Sequence, residues 1–468
     1  MNARNQLNRR GFIQCAGAGL TAAAAPLVLP SRLCAASPAA PSNRLNVALI
    51  GCGGRGNDIV REAIGNGANI IALCDPDASR IANTRKTLAE KTPGAEKARG
   101  YEDYRQLIDK EKSLDAVLIA IGPWWHAPMS TAFIKAGKHV YCEKPLTRLV
   151  SEARALGKLA QESKVATQMG TQGAASESFR RAVEIVQSGL LGQIREVHAW
   201  NIAHPRRPDS QDRPPGEDAV PAGFNWDLWL GPAPVRPFKR DTYLPGCMRT
   251  FVWFDFGAGL IAEFGTHTWQ LPIRALKLDY PVRVEHNVPE PVKETYASNA
   301  KIRYEFAARG HLAPVTGWYY DTINRPPQEA TADLKATYGN LPVVGAMLLG
   351  DKGTMYAGGW GAGNLIKLKG EDKMRGVSDH PAAKDIPRTE PRQAKQNHML
   401  EWLAAAKGGP KPYQSFEVSA HAMEVTLPAI VSLRMQRPIE WDGVNMQVPG
   451  APEADKFIRA DYRRKWLT

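Results

Sequence analysis

The sequence predicts an α/β chain that opens on a doubly wound parallel sheet and continues into a second α/β domain. Three observations lead there. A β-branched apolar run over residues 45–50 ends in a glycine-rich turn, with Gly51, Gly53 and Gly56 in G-x-G-x-x-G spacing. A second apolar run, N-I-I-A-L-C, follows a helical stretch and closes on Asp75, nineteen residues after Gly56. Further short apolar runs at 114–123 and 138–146 alternate with helical stretches, as strands buried on both faces do.

The first forty residues stand outside that pattern. N-R-R-G-F-I-Q places Arg9 and Arg10 in a twin-arginine arrangement, followed by a mild apolar stretch at 16–29 and small residues at Ala35 and Ala36. This reads as an export leader over residues 1–36, since a membrane span needs about twenty apolar residues. Leu33 before Cys34 is not the small residue a lipoprotein signal requires. Twin-arginine export to the periplasm or another extracytoplasmic space is therefore expected, with no span in the mature protein. A short arm, 37–44, precedes the first strand.

Charge and cysteines narrow the class. The formal charge of +13 includes four arginines of the leader, and the rest is spread without a basic block. That is a solvated surface, not a nucleic-acid footprint. Cys15 and Cys34 belong to the leader. Cys52, Cys74, Cys142 and Cys247 lack metal-ligand spacing, so no metal site and no disulfide framework is implied.

The glycine turn is expected to bind a dinucleotide. Gly51 allows the tight turn, Gly53 lets backbone approach a pyrophosphate, and Gly56 lets the helix pack on the strand. Gly54 and Arg55 lie in the same turn, at a helix N-terminus that favours phosphate. Asp75 stands where a carboxylate accepts hydrogen bonds from the adenosine ribose and repels a 2′-phosphate, so NAD is expected over NADP, with Arg80 close enough in sequence to matter.

Helices are expected at 78–91 and 101–110, then the strand 114–123. W-W-H-A-P and a helix over 129–136 follow, and K-H-V-Y-C-E-K-P-L is a strand running into Glu143, Lys144 and Pro145. Ligands bind at the carboxyl ends of such strands, which puts Pro123–His126 and Glu143–Pro145 on the rim beside the glycine loop. V-A-T-Q-M-G-T-Q is the last strand and turn of this domain, with Gln168 and Gln172 near the same rim.

The glycine fingerprint, the P-x-x-H after a buried strand, and above all A-G-K-H-V-Y-C-E-K-P-L resemble the glucose–fructose oxidoreductase / inositol dehydrogenase family, Gfo/Idh/MocA. The resemblance implies a Rossmann domain followed by an α/β domain on a large, mostly antiparallel open sheet, which commonly pairs between subunits. It implies nicotinamide-dependent chemistry on a sugar, cyclitol or related polyol, with Pro145 after a cis bond and Lys144 aimed inward. The chain then divides into a dinucleotide domain, 45–172, a substrate domain, 173–440, and a tail, 441–468.

Past a helix at 179–188, I-R-E-V-H-A-W-N begins the second sheet. Residues 204–250 are rich in Pro, Arg and Trp and read as a long loop. Trp226, Trp229 and Trp253 either wall a sugar site or fill core; the sequence does not separate the two. In 257–272, Glu263 and His267 are four apart, so on one helix they share a face and the carboxylate can orient the imidazole. The resembled family has an acid-x-x-x-His here as its proton-handling pair, normally with aspartate. Strands are expected at 282–288 and 300–307, an irregular region at 313–345, a glycine-rich hairpin at 350–363 and helices at 397–407 and 416–434. A short terminal helix is expected within 453–466.

The expected catalytic set is Lys144, His267 and Glu263. Lys144 stabilises a developing alkoxide, and His267 exchanges the hydroxyl proton because imidazole titrates near working pH. The expected cofactor set is Gly51, Gly53, Gly54, Arg55, Gly56, Asp75, Arg80, Pro123, His126, Glu143, Lys144 and Gln172. Lys144, Trp226, His267 and Tyr319 are expected to meet substrate. Two other readings use the same residues. One is a glycoside hydrolase that oxidises a ring hydroxyl transiently, eliminates the substituent, adds water and reduces the carbonyl again. The other is a non-catalytic sugar-binding protein.

Overall fold

The computed structural model describes residues 44–90, 92, 94–203, 210–244, 247–288, 293–296, 299–459 and 461–463. The expected leader, 1–36, and all but the last residue of the expected arm, 37–44, lie outside the described residues, as does the end of the tail. From Leu45 on, the chain is one compact unit carrying two sheets.

The first sheet holds β1 (Asn46–Ile50), β2 (Asn69–Cys74), β3 (Arg99–Tyr101), β4 (Ala116–Ile119), β5 (His139–Cys142) and β6 (Thr167–Met169). The order is β3-β2-β1-β4-β5-β6 with every pairing parallel. The order reverses at β1/β4, so their carboxyl ends open a crevice. Val47, Leu49, Ala116 and Leu118 are wholly buried, as strands covered by helices on both faces must be.

Two expectations here are corrected. Tyr101 ends β3 rather than starting a helix; the helix is Tyr104–Lys110, capped by Asp103, whose side chain accepts from Arg105 N–H at 2.9 Å. The W-W-H-A-P segment is not a connector, since the helix runs Pro123–Lys135. Pro123 at the first helical position is preset for helix geometry and needs no N–H there, and the helix tolerates Pro128 within it.

The second sheet holds β7 (Ile194–Asn201), β8 (Arg283–His286), β9 (Lys301–Phe306), β10 (Val315–Asp321), β11 (Val344–Gly350), β12 (Gly353–Gly358), β13 (Leu365–Leu368), β14 (Arg375–Gly376) and β15 (Ile439–Glu440). Its order is β14-β13-β12-β11-β7-β10-β9-β8-β15. Only β7 and β10 pair in parallel; the other pairings are antiparallel. In β9 alternate residues Ile302, Tyr304 and Phe306 are buried, the period-two signature of a sheet with one covered face. The region 313–345 is not irregular: it contains β10 and a helix, Gln328–Tyr338. Strand β10 gains its order from β7 and β9 on either side rather than from its own pattern.

After the second sheet the chain returns to the first. Met399, Trp402 and Leu403, on the helix His398–Ala406, share a core with Val47, Leu49 and Leu118. The helix Phe416–Thr426 packs on Val150–Glu162 closely enough that a Cβ on Gly157 would lie 2.9 Å from Ala420 Cβ. The loop after β7 folds into short helices, including Trp226–Leu230.

Candidate active site

The glycine loop shows what each glycine is for. A Cβ on Gly51 (φ +90°) would lie 2.2 Å from the Ala120 carbonyl oxygen, and one on Gly56 would lie 1.8 Å from the Gly51 carbonyl oxygen. Those two serve the fold. Gly54 differs, because a Cβ there would meet nothing within 4 Å, and Gly53 would meet only Arg80 at 3.5 Å. Both line a cleft of about 510 Å³. Bare backbone with nothing packed on it, at a helix start, fits a pyrophosphate and not a packing need.

At the next strand end, Asp75 is buried and its two oxygens accept from Cys52 N–H at 2.8 Å and Asp77 N–H at 3.0 Å. Burial raises its pKa to about 6, against the pull of Arg80. Arg80 lines the same cleft and pairs with Asp77 at 3.6 Å. Pro123, Glu143, Lys144 and Gln172 also line it.

Arg55 ties the glycine loop to the E-K-P segment, its Nη2 lying 2.8 Å from Glu143 Oε1. Glu143 is buried and leaves so little room that a Cβ on Gly170 would lie 2.5 Å from Oε1. The Gln172 amide meets the Tyr141 hydroxyl at 2.8 Å. The Lys144–Pro145 peptide is cis. Lys144 Nζ donates to the Glu263 carbonyl oxygen at 3.2 Å and lies 3.4 Å from Glu263 Oε2. It also sits 5.1 Å from the centre of the Phe264 ring.

Glu263 and His267 do not share one helix. The chain makes two, Gly259–Glu263 and Gly265–Ala275, meeting at Phe264. The glutamate consequently turns to Lys144, and among the described residues no hydrogen bond joins it to His267. Glu263 Oε1 has no partner among the described residues, and burial raises the carboxyl pKa. His267 lines the cleft and stands edge to face with Trp360, ring centres 4.8 Å apart. Burial, then the charges of Lys144 and Arg55, lower its pKa to about 3. The imidazole is thus neutral at working pH, contrary to the expectation that it titrates there.

Four expected residues are not brought to the cleft. Gly56 lies beneath the loop it packs. His126 is wholly buried, with Nδ1 2.7 Å from the Pro145 carbonyl oxygen and Nε2 3.1 Å from that of Ile121, so it ties the helix Pro123–Lys135 to the E-K-P turn. Trp226 stacks on Trp229 at 4.6 Å and donates to the Arg236 carbonyl at 2.8 Å, as loop packing. Tyr319 is wholly buried and donates to the Leu260 carbonyl at 3.0 Å, bracing the helix that ends at Glu263. Gln168 is also buried away, donating to the His398 carbonyl at 2.7 Å.

The cleft also takes Trp229, named above as a residue that walls a site or fills core, Trp124 and Trp125 from the expected rim segment 123–126, and Tyr243 and Trp360, which the sequence reading did not single out. Trp124 and Trp125 both donate to the Trp229 carbonyl, at 3.2 and 3.1 Å, and so hold the long loop against the first sheet's helix. For Trp360 the lone aromatic in G-G-W-G-A-G was the available signal.

Comparison with known proteins agrees with this geometry. Residues 45–171 match a model described as the oxidoreductase family, NAD-binding Rossmann fold, and residues 184–313 match that family's C-terminal alpha/beta domain, together more than half of the chain. The chain belongs to the Gfo/Idh/MocA family. It is 32% identical over 157 residues to an inositol 2-dehydrogenase of Corynebacterium glutamicum, covering 33% of this chain and 44% of that protein. It is 28% identical over 211 residues to a glycosyl hydrolase family 109 protein of Shewanella amazonensis, covering 42% and 46%. These matches span less than half the length of either relative. Among solved structures, an aldose-aldose oxidoreductase from Caulobacter crescentus superposes with a TM-score of 0.54 at 16% identity, covering 85% of this chain and 99% of that one. The WlbA dehydrogenase from Bordetella pertussis, in complex with NADH and UDP-GlcNAcA, gives 0.56 at 16%, with the same coverage. At such identities the likeness is one of fold.

Proposed function

We propose that this chain is a nicotinamide-dependent oxidoreductase acting on a hydroxyl of a sugar, cyclitol or glycoside. The observation that carries the reading is one cleft lined by the bare glycine backbone and Asp75 and also by Lys144, Glu263 and His267. Bound nicotinamide supplies the hydride chemistry. The glycine loop and helix N-terminus hold the pyrophosphate, and Asp75 holds the adenosine ribose, which favours NAD over NADP.

Lys144 donates to the reacting oxygen and stabilises its negative charge as the hydroxyl proton leaves. Glu263 fixes the ammonium through its carbonyl and carboxylate. His267, kept neutral, accepts the proton as the alkoxide forms and relays it outward, and when a carbonyl is reduced the proton is drawn in from solvent through the same imidazole. Because Lys144 opposes a charge on His267, the proton is held loosely and passes on to solvent.

Similarity to a family 109 glycosyl hydrolase supports a second reading, hydrolysis through transient oxidation of a ring hydroxyl without net redox change. One incubation with NAD⁺, sugars and aryl glycosides separates them. Reduced nicotinamide and a ketosugar accompany dehydrogenation; a released phenol without net reduction accompanies hydrolysis. If nucleotide and sugar bind and neither product forms, the enzyme reading fails. The twin-arginine pattern supports export of the folded protein with its nucleotide bound.

A further inference from the structure

Among the described residues Trp360 is the most exposed tryptophan, with 56% of its surface open to solvent. Its position is nevertheless fixed. It sits on the loop after β12, where Gly361 (φ +80°) donates back to the Gly358 carbonyl at 2.9 Å. Asn364 closes the loop from inside, accepting from Gly358 N–H at 2.9 Å. Ser176 donates to the Gly361 carbonyl at 2.8 Å. The Trp360 carbonyl is pressed against Gly173, where a Cβ would lie 1.6 Å from it. A large aromatic side chain is thus held out on a pinned backbone instead of being folded into the core.

What lies beside it gives the reason. Trp360 lines the cleft and touches the His267 ring. Its ring centre is 6.3 Å from that of Phe264, which carries Lys144 above it. A sugar whose hydroxyl reaches Lys144 and His267 therefore has an exposed indole immediately outward of the reacting ring. Indole offers a broad apolar face, and a pyranose offers a face of C–H groups; burying one on the other removes both from water.

Resting on the oxidoreductase reading, we propose that Trp360 is a stacking platform for a second ring, and that the substrate class is a glycoside or disaccharide rather than a free monosaccharide. The reacting ring sits inside at Lys144 and His267, and the substituent ring lies on Trp360 at the mouth.

The test uses matched pairs: glucose with cellobiose and maltose, galactose with lactose, N-acetylglucosamine with chitobiose. For each, kcat/KM with NAD⁺ and calorimetric affinity in the presence of NADH are measured in wild type, Trp360→Phe and Trp360→Ala. For the pair that is used, the disaccharide is expected to exceed its monosaccharide about tenfold. Trp360→Ala lowers the disaccharide-to-monosaccharide ratio of kcat/KM by about that factor, over and above any loss common to both through the His267 ring it touches, and Trp360→Phe keeps most of the ratio. Equal losses on both members, or none, overturn the platform while leaving the oxidoreductase reading intact. Binding of disaccharides through Trp360 without any oxidation upholds the platform and sinks the oxidoreductase reading instead. If no sugar of either length binds, the platform falls, and oxidation of a cyclitol assayed alongside decides the oxidoreductase reading separately.

Discussion

A histidine base with its ordinary pKa of about 6.5 would leave only about 3% of the enzyme with neutral imidazole at pH 5. In this cleft burial, Lys144 and Arg55 hold His267 near pKa 3, so about 99% remains neutral at the same pH. The account therefore predicts that sugar oxidation, followed as kcat/KM at saturating NAD⁺, shows no acid limb near 6.5 and declines less than twofold between pH 7.5 and 5 on account of His267. The difference from an ordinary histidine at pH 5 is about thirtyfold, well outside error in initial rates. Nuclear magnetic resonance of the His267 Cε1 proton, assigned with His267→Gln, reads the same quantity without turnover. The linked stability has a definite sign: the unfolded chain takes up a proton near pH 6.5 that the native site refuses until about pH 3, so His267 makes the protein less stable as pH falls through that window. His126 and His398, both lowered to about 4 by burial, act in the same direction. A limb at pH 6–7 that disappears in His267→Gln would refute the argument.

Two alanine substitutions in the glycine loop should separate. Gly56→Ala meets the Gly51 carbonyl and is expected to lower the melting temperature and lose nucleotide. Gly54→Ala should leave the melting temperature unchanged while weakening NADH binding, checked by calorimetry and thermal unfolding. Affinity for NADH should fall about tenfold between pH 7 and pH 5, because Asp75, with its pKa near 6, must be ionised to hold the ribose. An affinity that does not change over that range removes Asp75 from the site. Tyr319→Phe should cost about 1 kcal/mol in denaturant unfolding through the Leu260 carbonyl it no longer satisfies, and leave the KM for sugar unchanged. Protein recovered from its natural host and dialysed should still release nicotinamide nucleotide on denaturation, and the affinities above are read on protein stripped of it; protein that carries no nucleotide as recovered contradicts retention.

Most of the first sheet was legible because its strands are short continuous apolar runs with glycine or acid at their ends, and those local signals coincide with the tertiary role. The same holds for the position of Gly51, Gly53, Asp75 and Lys144 along the cleft. What escaped was set by distant partners. β10 reads as an irregular aromatic stretch until β7 and β9 flank it, and β3 is three residues long. Spacing of four put Glu263 and His267 on one face only if the helix continued; the joint at Phe264 redirected the glutamate to Lys144, 119 residues away in sequence. Tyr319 and Trp226 carry side chains suited to sugar contact, but their hydroxyl and indole N–H were needed by buried carbonyls. His126 sits in the recognised motif and supports the site from behind.

The central claim is that the residues around Asp75 and those around Lys144 serve one reaction in one cleft. Transfer of deuterium tests it most directly. The protein is loaded with NAD⁺ and mixed with perdeuterated sugars and glycosides, and the nucleotide is released and weighed by mass spectrometry. The account predicts deuterium on the nicotinamide in wild type for at least one sugar, and none in Lys144→Met, which should still bind NADH. Bound nucleotide that gains no deuterium from any sugar the protein binds, or a Lys144→Met variant that labels as fast as wild type, would contradict it.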